Sequence, residues 1–220
     1  SPVSTNAGNV SLCGIYESQL SGNNPLNIAP TASGQWIQIQ GPSIASITDS
    51  SQFLTQINNL EGGNYQFAWV VSNLTCPAET SFVNIEVYNV PVAKASDTSF
   101  CSLFFNLSGN NPATIQNTAI GIWSLLSGPS QATIQNPNQF NSSVTVVAPG
   151  NYIFRWIVSN GTCSSDTAEI LVTIGTGVEA IAGNDQEICN LSVASLLANN
   201  ANGIWSQVSG PNAANISNPT

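Results

Sequence analysis

The chain repeats itself. The run Tyr65-Gln66-Phe67-Ala68-Trp69-Val70-Val71-Ser72-Asn73-Leu74-Thr75-Cys76 returns as Tyr152-Ile153-Phe154-Arg155-Trp156-Ile157-Val158-Ser159-Asn160-Gly161-Thr162-Cys163, with eight of twelve positions identical at an offset of 87 residues. A fixed period of this kind marks a tandem array, in which each unit contacts mainly its neighbours and the whole spans distance or presents surface. A unit of this length is large enough to close its own core. The 220 residues are therefore expected to hold two complete units, 1–90 and 91–176, and the opening half of a third, 177–220.

Each unit carries the same motifs in the same order. A short strand holds a cysteine (Val10 to Ile15, Ser99 to Phe104, Glu187 to Val193). Leu-Ser-Gly-Asn-Asn-Pro follows at 20–25 and 107–112, a strand end running into turn residues. Gly-x-Trp then precedes Gly-Pro three times: Gly34, Trp36 and Gly41-Pro42; Gly121, Trp123 and Gly128-Pro129; Gly203, Trp205 and Gly210-Pro211. A Gly-Asn-Tyr corner leads into an aromatic strand. There Tyr65, Phe67, Trp69 and Val71 alternate with period two, as do Tyr152, Phe154, Trp156 and Val158, which turns one face of each strand into a core. The last strand alternates as Val83, Ile85, Val87 and Ile170, Val172, Ile174. No stretch combines a helical stripe with caps. Short strands separated by frequent turn signals predict an all-β chain of tandem antiparallel sandwiches, two complete and one partial. The expected core residues are Trp36, Tyr65, Trp69, Trp123, Tyr152, Trp156 and Trp205. The two tryptophans of a unit are expected to come from opposite sheets and meet across the core.

Charge is scarce. Lys94 and Arg155 are the only basic residues against eleven acidic ones, the net charge is −9 at pH 7, and histidine is absent. Nucleic acid and anionic membrane surfaces require clustered Lys and Arg, so neither is an expected partner. No apolar run approaches the ~20 residues of a membrane-spanning helix. Without histidine, neither a Ser-His-Asp nor a Cys-His arrangement can be assembled. The carboxylates are scattered rather than paired for glycoside hydrolysis, and no phosphate loop or EF-hand loop occurs. The expectation is a chain without enzymatic activity, cofactor or metal. Glu179, Asp185 and Glu187 gather near the second linker as a solvated acidic edge, with calcium at the joint as the alternative. Arg155 lies opposite in parity to Tyr152, Phe154 and Trp156 and is expected to point outward beside an acid.

The five cysteines fall in register. Cys13, Cys101 and Cys189 are each 88 residues apart, and Cys76 and Cys163 follow the first two by 63 and 62 residues. The simplest pairing is one bridge per unit, Cys13–Cys76 and Cys101–Cys163, with the partner of Cys189 outside the chain. Each such bridge would tie the first strand to the end of the aromatic strand at one pole, and would stabilise its unit by roughly 4 kcal/mol in the chain-entropy model. Disulfides imply an oxidising compartment. A zinc site is not indicated, because no cysteine has a near neighbour at ligand spacing.

The linkers are expected at Asn89–Lys94 and Gly175–Ala182. Val90-Pro91-Val92 is held extended by its proline, which predicts a semi-rigid joint. The third unit lacks an aromatic strand and a last strand. Half a sandwich leaves its core open, so the expectation is a piece of a longer repeat protein, or else a half-domain completed by a strand from another molecule. Asn-x-Ser/Thr sequons occur at Asn9, Asn73, Asn106, Asn141, Asn160, Asn190 and Asn215.

Gly63-Asn64-Tyr65 and Gly150-Asn151-Tyr152 resemble the tyrosine corner of immunoglobulin-like (Ig-like) sandwiches. The ordered set Ala-Gly-Asn-Asp-Gln-x-Ile-Cys (182–189), Gly-x-Trp-Ser-x-x-Ser-Gly-Pro and Gly-Asn-Tyr-x-Phe-x-Trp-x-Val-Ser-Asn-Gly-Thr-Cys resembles the PKD/Ig-like repeats of very large Bacteroidota cell-surface adhesins, including gliding-motility adhesins exported by type IX secretion. That resemblance implies an outer-surface, outer-membrane-anchored filament without catalytic residues. Its partners would be neighbouring repeats, other copies in the filament, and surface polysaccharide. Asp166-Thr167-Ala168 resembles the Bacteroidota O-glycosylation acceptor, with Thr167 as the modified residue. The function expected is a structural or adhesive stalk. The alternative is a carbohydrate-binding or spacer module of a secreted glycan-degrading enzyme, which would need exposed loop aromatics, for which Phe53, Phe140 and Tyr16 are the candidates.

Overall fold

The computed structural model describes residues 10–189, 193–199 and 202–219. Its regular structure is β throughout, apart from two short 3-10 turns at Pro25–Asn27 and Pro112–Thr114. The first sandwich is built from β1 (Val10–Cys13), β2 (Ser18–Ser21), β3 (Ala32–Gln40), β4 (Ser46–Ile47), β5 (Leu54–Asn58), β6 (Gly63–Asn73) and β7 (Cys76–Tyr88). The second repeats the plan with β8 (Thr98–Phe100), β9 (Phe104–Asn106), β10 (Ile120–Ser127), β11 (Ala132–Ile134), β12 (Ser143–Val146), β13 (Gly150–Ser159) and β14 (Asp166–Ile174). One sheet of each sandwich has four strands, in the orders β1-β7-β6-β3 and β10-β13-β14-β8. The facing sheet has three, β2-β5-β4 and β11-β12-β9.

Period-two alternation sets which side chains face inward. Tyr65, Phe67, Trp69 and Val71 from β6 join Val83, Ile85 and Val87 from β7 in one core, closed by Leu20 and Ile57 from the facing sheet. The second core repeats this with Tyr152, Phe154, Trp156, Val158, Ile170, Val172 and Ile174 against Phe105 and Val144. Trp36 and Trp123 are likewise buried. Both tyrosine corners are formed. The Tyr65 hydroxyl accepts from the Glu61 amide at 2.7 Å, and the Tyr152 hydroxyl donates to the Ala148 carbonyl at 2.6 Å.

The two tryptophans of a unit do not come from opposite sheets. β3 pairs antiparallel with β6, so Trp36 and Trp69 are cross-strand partners in one sheet, and Trp123 and Trp156 are the same in the other sandwich. Their ring centroids lie 4.9 Å apart in both cases. Each β6 or β13 indole is seated by the Leu-Ser-Gly-Asn-Asn-Pro segment. Trp69 Nε1 donates to Asn23 Oδ1 at 3.1 Å and Trp156 Nε1 to Asn110 Oδ1 at 3.2 Å. Asn24 and Asn111 then cap the short 3-10 turns.

The first strand is the exception to the antiparallel plan. β1 pairs parallel with β7, and β8 parallel with β14. This overturns the expected disulfides. Parallel pairing sets Cys13 opposite Tyr88 at the end of β7, whereas Cys76 opens that strand thirteen residues long. At ~3.3 Å per residue the two cysteines are about 40 Å apart, and a disulfide needs Cα atoms within roughly 7 Å. Cys101 and Cys163 are separated in the same way across β14. The bridge formed is Cys13–Cys163, with Cα atoms 5.2 Å apart and a sequence separation of 150. Cys76, Cys101 and Cys189 are free thiols at exposed positions.

The chain divides into two units, 1–174 and 175–220. Both sandwiches belong to the first, because the bridge and a packed linker join them. In the second unit no strand forms among the described residues. Part of the strand expected at Glu187–Val193 lies outside the described residues. Trp205 is half-buried rather than enclosed in a core. The Gly-x-Trp and Gly-Pro turn still forms locally. The Trp205 amide donates to the Pro219 carbonyl at 2.8 Å, as the Trp123 amide does to Pro137 at 2.8 Å. Gln207 spans the turn to Asn212 and Ala214, much as Gln38 spans to Ser43 and Ala45.

Candidate functional site at the joint between the sandwiches

The linker after β7 is held by a dense set of side-chain hydrogen bonds. Asn89 is gripped on three sides. Its amide donates to Gln116 Oε1 at 2.8 Å and its Nδ2 to the Ile115 carbonyl at 2.8 Å, while its carbonyl accepts from Asn160 Nδ2 at 2.8 Å. Asn160 is fully buried, and its remaining groups are used: Nδ2 also reaches Gln116 Oε1 at 2.8 Å, and Oδ1 accepts from Thr118 Oγ1 at 2.7 Å. Gln116 Nε2 returns to the Val87 carbonyl at 3.0 Å. A half-buried polar network centred on the buried Asn160 favours one geometry, because breaking its bonds would leave the Asn160 amide unsatisfied.

The rest of the linker is held by side chains of the second sandwich. The Ala93 amide donates to Asp166 Oδ2 at 2.8 Å. Asn110 brackets Lys94 and Val92: its Oδ1 accepts from the Lys94 amide at 2.7 Å, its Nδ2 donates to the Val92 carbonyl at 2.8 Å, and its amide donates to the Lys94 carbonyl at 2.9 Å. The same Asn110 holds Trp156, so linker and core share one residue. The Tyr88 ring lies against the β13–β14 turn at Gly161, and the Glu86 carboxylate beside it, by accepting a hydrogen bond from the Tyr88 hydroxyl, holds that hydroxyl above the usual tyrosine range. The Cys13–Cys163 bridge closes the joint covalently.

Among the described residues, no group of three or more His, Cys, Asp or Glu side chains is placed to hold a metal ion, Glu179, Asp185 and Glu187 included. Arg155 pairs with its cross-strand neighbour Glu169 at 2.6 Å on the outer face. Phe53 and Phe140 pack against the two cores. Tyr16 is exposed, and its hydroxyl donates to Asn89 Oδ1 at 3.2 Å. Among the described residues no helix is long and apolar enough to cross a membrane. Thr167 stands exposed on β14, beside the Asp166 that clamps the linker. Burial removes Asn160 as a glycan acceptor. The sequons at Asn9 and Asn190 lie outside the described residues.

Sequence reasoning placed a stiff joint at Asn89–Lys94 from its proline, but missed the side chains that grip it. Asn110 lies inside a motif that reads as a turn, Gln116 carries no periodic signal, and Asn160, although it repeats Asn73, reads as turn material. The cysteine spacing was compatible with Cys13–Cys163. The orientation of β1, which decides the matter, is invisible in composition.

Residues 105–174, most of the second sandwich, match the family described as "K319L-like, PKD domain". The human protein named "Dyslexia-associated protein KIAA0319" is 23% identical over 220 aligned positions, which cover 90% of this chain and 20% of that protein. The chain thus spans about a fifth of the length of that relative. Among solved structures, immunoglobulin domains 1–4 of Sidekick-1 superpose with a TM-score of 0.54 at 11% identity, covering 80% of this chain and 49% of that chain. Domains 1–5 of Sidekick-1 give a TM-score of 0.53 at 13% identity, covering 82% and 39%. At these identities the likeness is one of fold: tandem PKD- and Ig-like sandwiches.

Proposed function

We propose that this chain is a segment of an extracellular adhesive stalk, a non-catalytic array of sandwiches that holds a contact surface away from a cell. The observation that supports it best is the Cys13–Cys163 bridge, which joins two sandwiches rather than closing one. A bridge inside a sandwich would protect that fold alone. This one fixes the angle between neighbours, and it closes a loop with a sequence separation of 150 that tension cannot lengthen while the bond lasts. The linker network around Asn89 and Asn160 serves the same end. A surface with two basic residues and many amides and hydroxyls stays indifferent to salt. The repeat motifs support the finer reading, a Bacteroidota-type surface adhesin of the gliding-motility kind, exported by type IX secretion and anchored at the outer membrane. Its neighbours would be further repeats or other copies, with polysaccharide as the contacted material and Thr167 as a glycan attachment point.

Single-molecule pulling by the two ends tests the mechanical role. Reducing the bridge should release roughly 500 Å of additional contour length, from 150 residues at ~3.3–3.6 Å each. Equal extension with and without reductant would defeat the stalk reading.

A further inference from the structure

The joint is built from two halves, and each half occurs a second time with its cysteine free, at Cys101 and at Cys76. The first half is a cysteine ending a strand that runs parallel to the last strand. Cys13 follows Leu12, whose partner is Val87; Cys101 follows Phe100, whose partner is Ile174, in the equivalent register. The second half is a hairpin turn with an Asn–Thr pair and a cysteine. In the joint it is Thr118 Oγ1 donating to Asn160 Oδ1 at 2.7 Å, with Cys163 beyond. At the opposite pole of the first sandwich it is Thr31 Oγ1 donating to Asn73 Oδ1 at 2.7 Å, with Cys76 beyond.

A third, independent observation comes from the second unit. Asn199 brackets residues 179–181 as Asn110 brackets 92–94. The Ile181 amide donates to Asn199 Oδ1 at 3.2 Å, Asn199 Nδ2 donates to the Glu179 carbonyl at 2.6 Å, and the Asn199 amide donates to the Ile181 carbonyl at 3.0 Å. Residues 179–181 are therefore bracketed by Asn199 as 92–94 are by Asn110. Residues 175–181 correspond to 88–94, with Gly175 and Gly177 where Tyr88 and Val90 stand.

We propose that Cys101 is half of a second inter-sandwich staple, and that its partner is the hairpin cysteine of the following repeat in the same chain. By the same rule, Cys76 is the receiving half for the first-strand cysteine of another such sandwich. This rests on the array reading above and goes beyond it. It assigns a cross-link to every joint, each reaching from the first cysteine of one repeat to the second cysteine of the next. Successive staple loops then overlap, since Cys101 lies inside the loop from Cys13 to Cys163. Each bond forms from two thiols with loss of two protons and two electrons. A disulfide oxidant accepts these and leaves as two thiols; glutathione disulfide serves in the test.

The test keeps the whole chain and supplies a complete following sandwich. A second copy of residues 95–174 is inserted after Ile181, carrying Cys101→Ser so that only the original Cys101 is present, and Thr162→Ser as a mass label beside its hairpin cysteine. After oxidation with glutathione disulfide, peptide mapping without reductant should recover Cys13 joined to the unlabelled Cys163 peptide and Cys101 joined to the labelled one. Maleimide labelling of Cys101 should fall at least tenfold relative to the unaltered chain. A freely labelled Cys101 with Cys13–Cys163 intact and native tryptophan emission would overturn the second staple and leave the array reading standing. Loss of both bridges in a folded protein would overturn the array reading as well. Disulfide-linked dimers through Cys101 and Cys76 would reject a partner in the same chain. Should the inserted sandwich fail to fold, the unaltered chain still decides: Cys101 must label as an exposed thiol while Cys13 and Cys163 do not, and recovery of Cys101 bonded to Cys163 of its own sandwich overturns the proposal.

Discussion

Tyr88, at the end of β7, sets its ring against Gly161, so that a Cβ at Gly161 would sit 2.2 Å from the Tyr88 ring. Gly161 also holds a left-handed φ of +52°. The pair is the apolar part of the joint, and it makes the turn sensitive to any side chain. Gly161→Ala should cost about 1–2 kcal/mol for the backbone conformation alone, and more for displacing the ring. In a Tyr88→Gly background only the backbone part should remain. A double-mutant cycle by urea denaturation measures the difference, and additive effects would show that the ring does not press on the turn.

The Gly-x-Trp motif has a steric origin. A Cβ at Gly34 would lie 2.2 Å from the Trp69 ring, and one at Gly121 would lie 2.2 Å from the Trp156 ring. Gly34→Ala and Gly121→Ala should each destabilise their sandwich by about 1–3 kcal/mol through overpacking. Thermal melts followed by tryptophan emission should report similar losses at the two sites, since the two sandwiches share the geometry.

The equivalent tryptophans differ in one bond. Trp123 Nε1 donates to the Phe140 carbonyl at 3.2 Å, while the buried Trp36 Nε1 has no protein partner. Replacing each by Phe removes similar ring volume but loses a hydrogen bond only at Trp123. Trp123→Phe should therefore cost about 1 kcal/mol more than Trp36→Phe, measured as the difference in unfolding free energy.

Phe53 and Phe140 pack on the cores rather than standing on loops as stacking platforms. Phe53→Ala and Phe140→Ala should lower stability by about 2 kcal/mol each, less than the cost of a fully buried phenylalanine. They should leave any retention on immobilised polysaccharide unchanged. Loss of retention at unchanged stability would favour the carbohydrate-binding alternative.

Much of this architecture is legible in the residues. Alternation through Tyr65, Phe67 and Trp69 marks the buried face of β6 without reference to the fold, because period-two burial is a local property of a strand. The Gly-Asn-Tyr corners are legible for the same reason. What escapes is pairing. Nothing local to Val10–Cys13 says that it lies parallel to β7, and that one fact moves Cys13 from the pole of Cys76 to the pole of Cys163. Nor does Trp36 reveal that its partner Trp69 is a neighbour in the same sheet. The joint escapes for a further reason: Asn89, Gln116 and Asn160 are polar residues in a chain rich in polar residues, and only their convergence distinguishes them.

The account stands on the bridge that crosses the joint. Peptide mapping of the oxidised chain without reductant, with free thiols blocked before digestion, measures it directly. Cys13 should be recovered joined to Cys163, and Cys76, Cys101 and Cys189 should carry the blocking group. Recovery of Cys13 joined to Cys76 and Cys101 joined to Cys163 would contradict it.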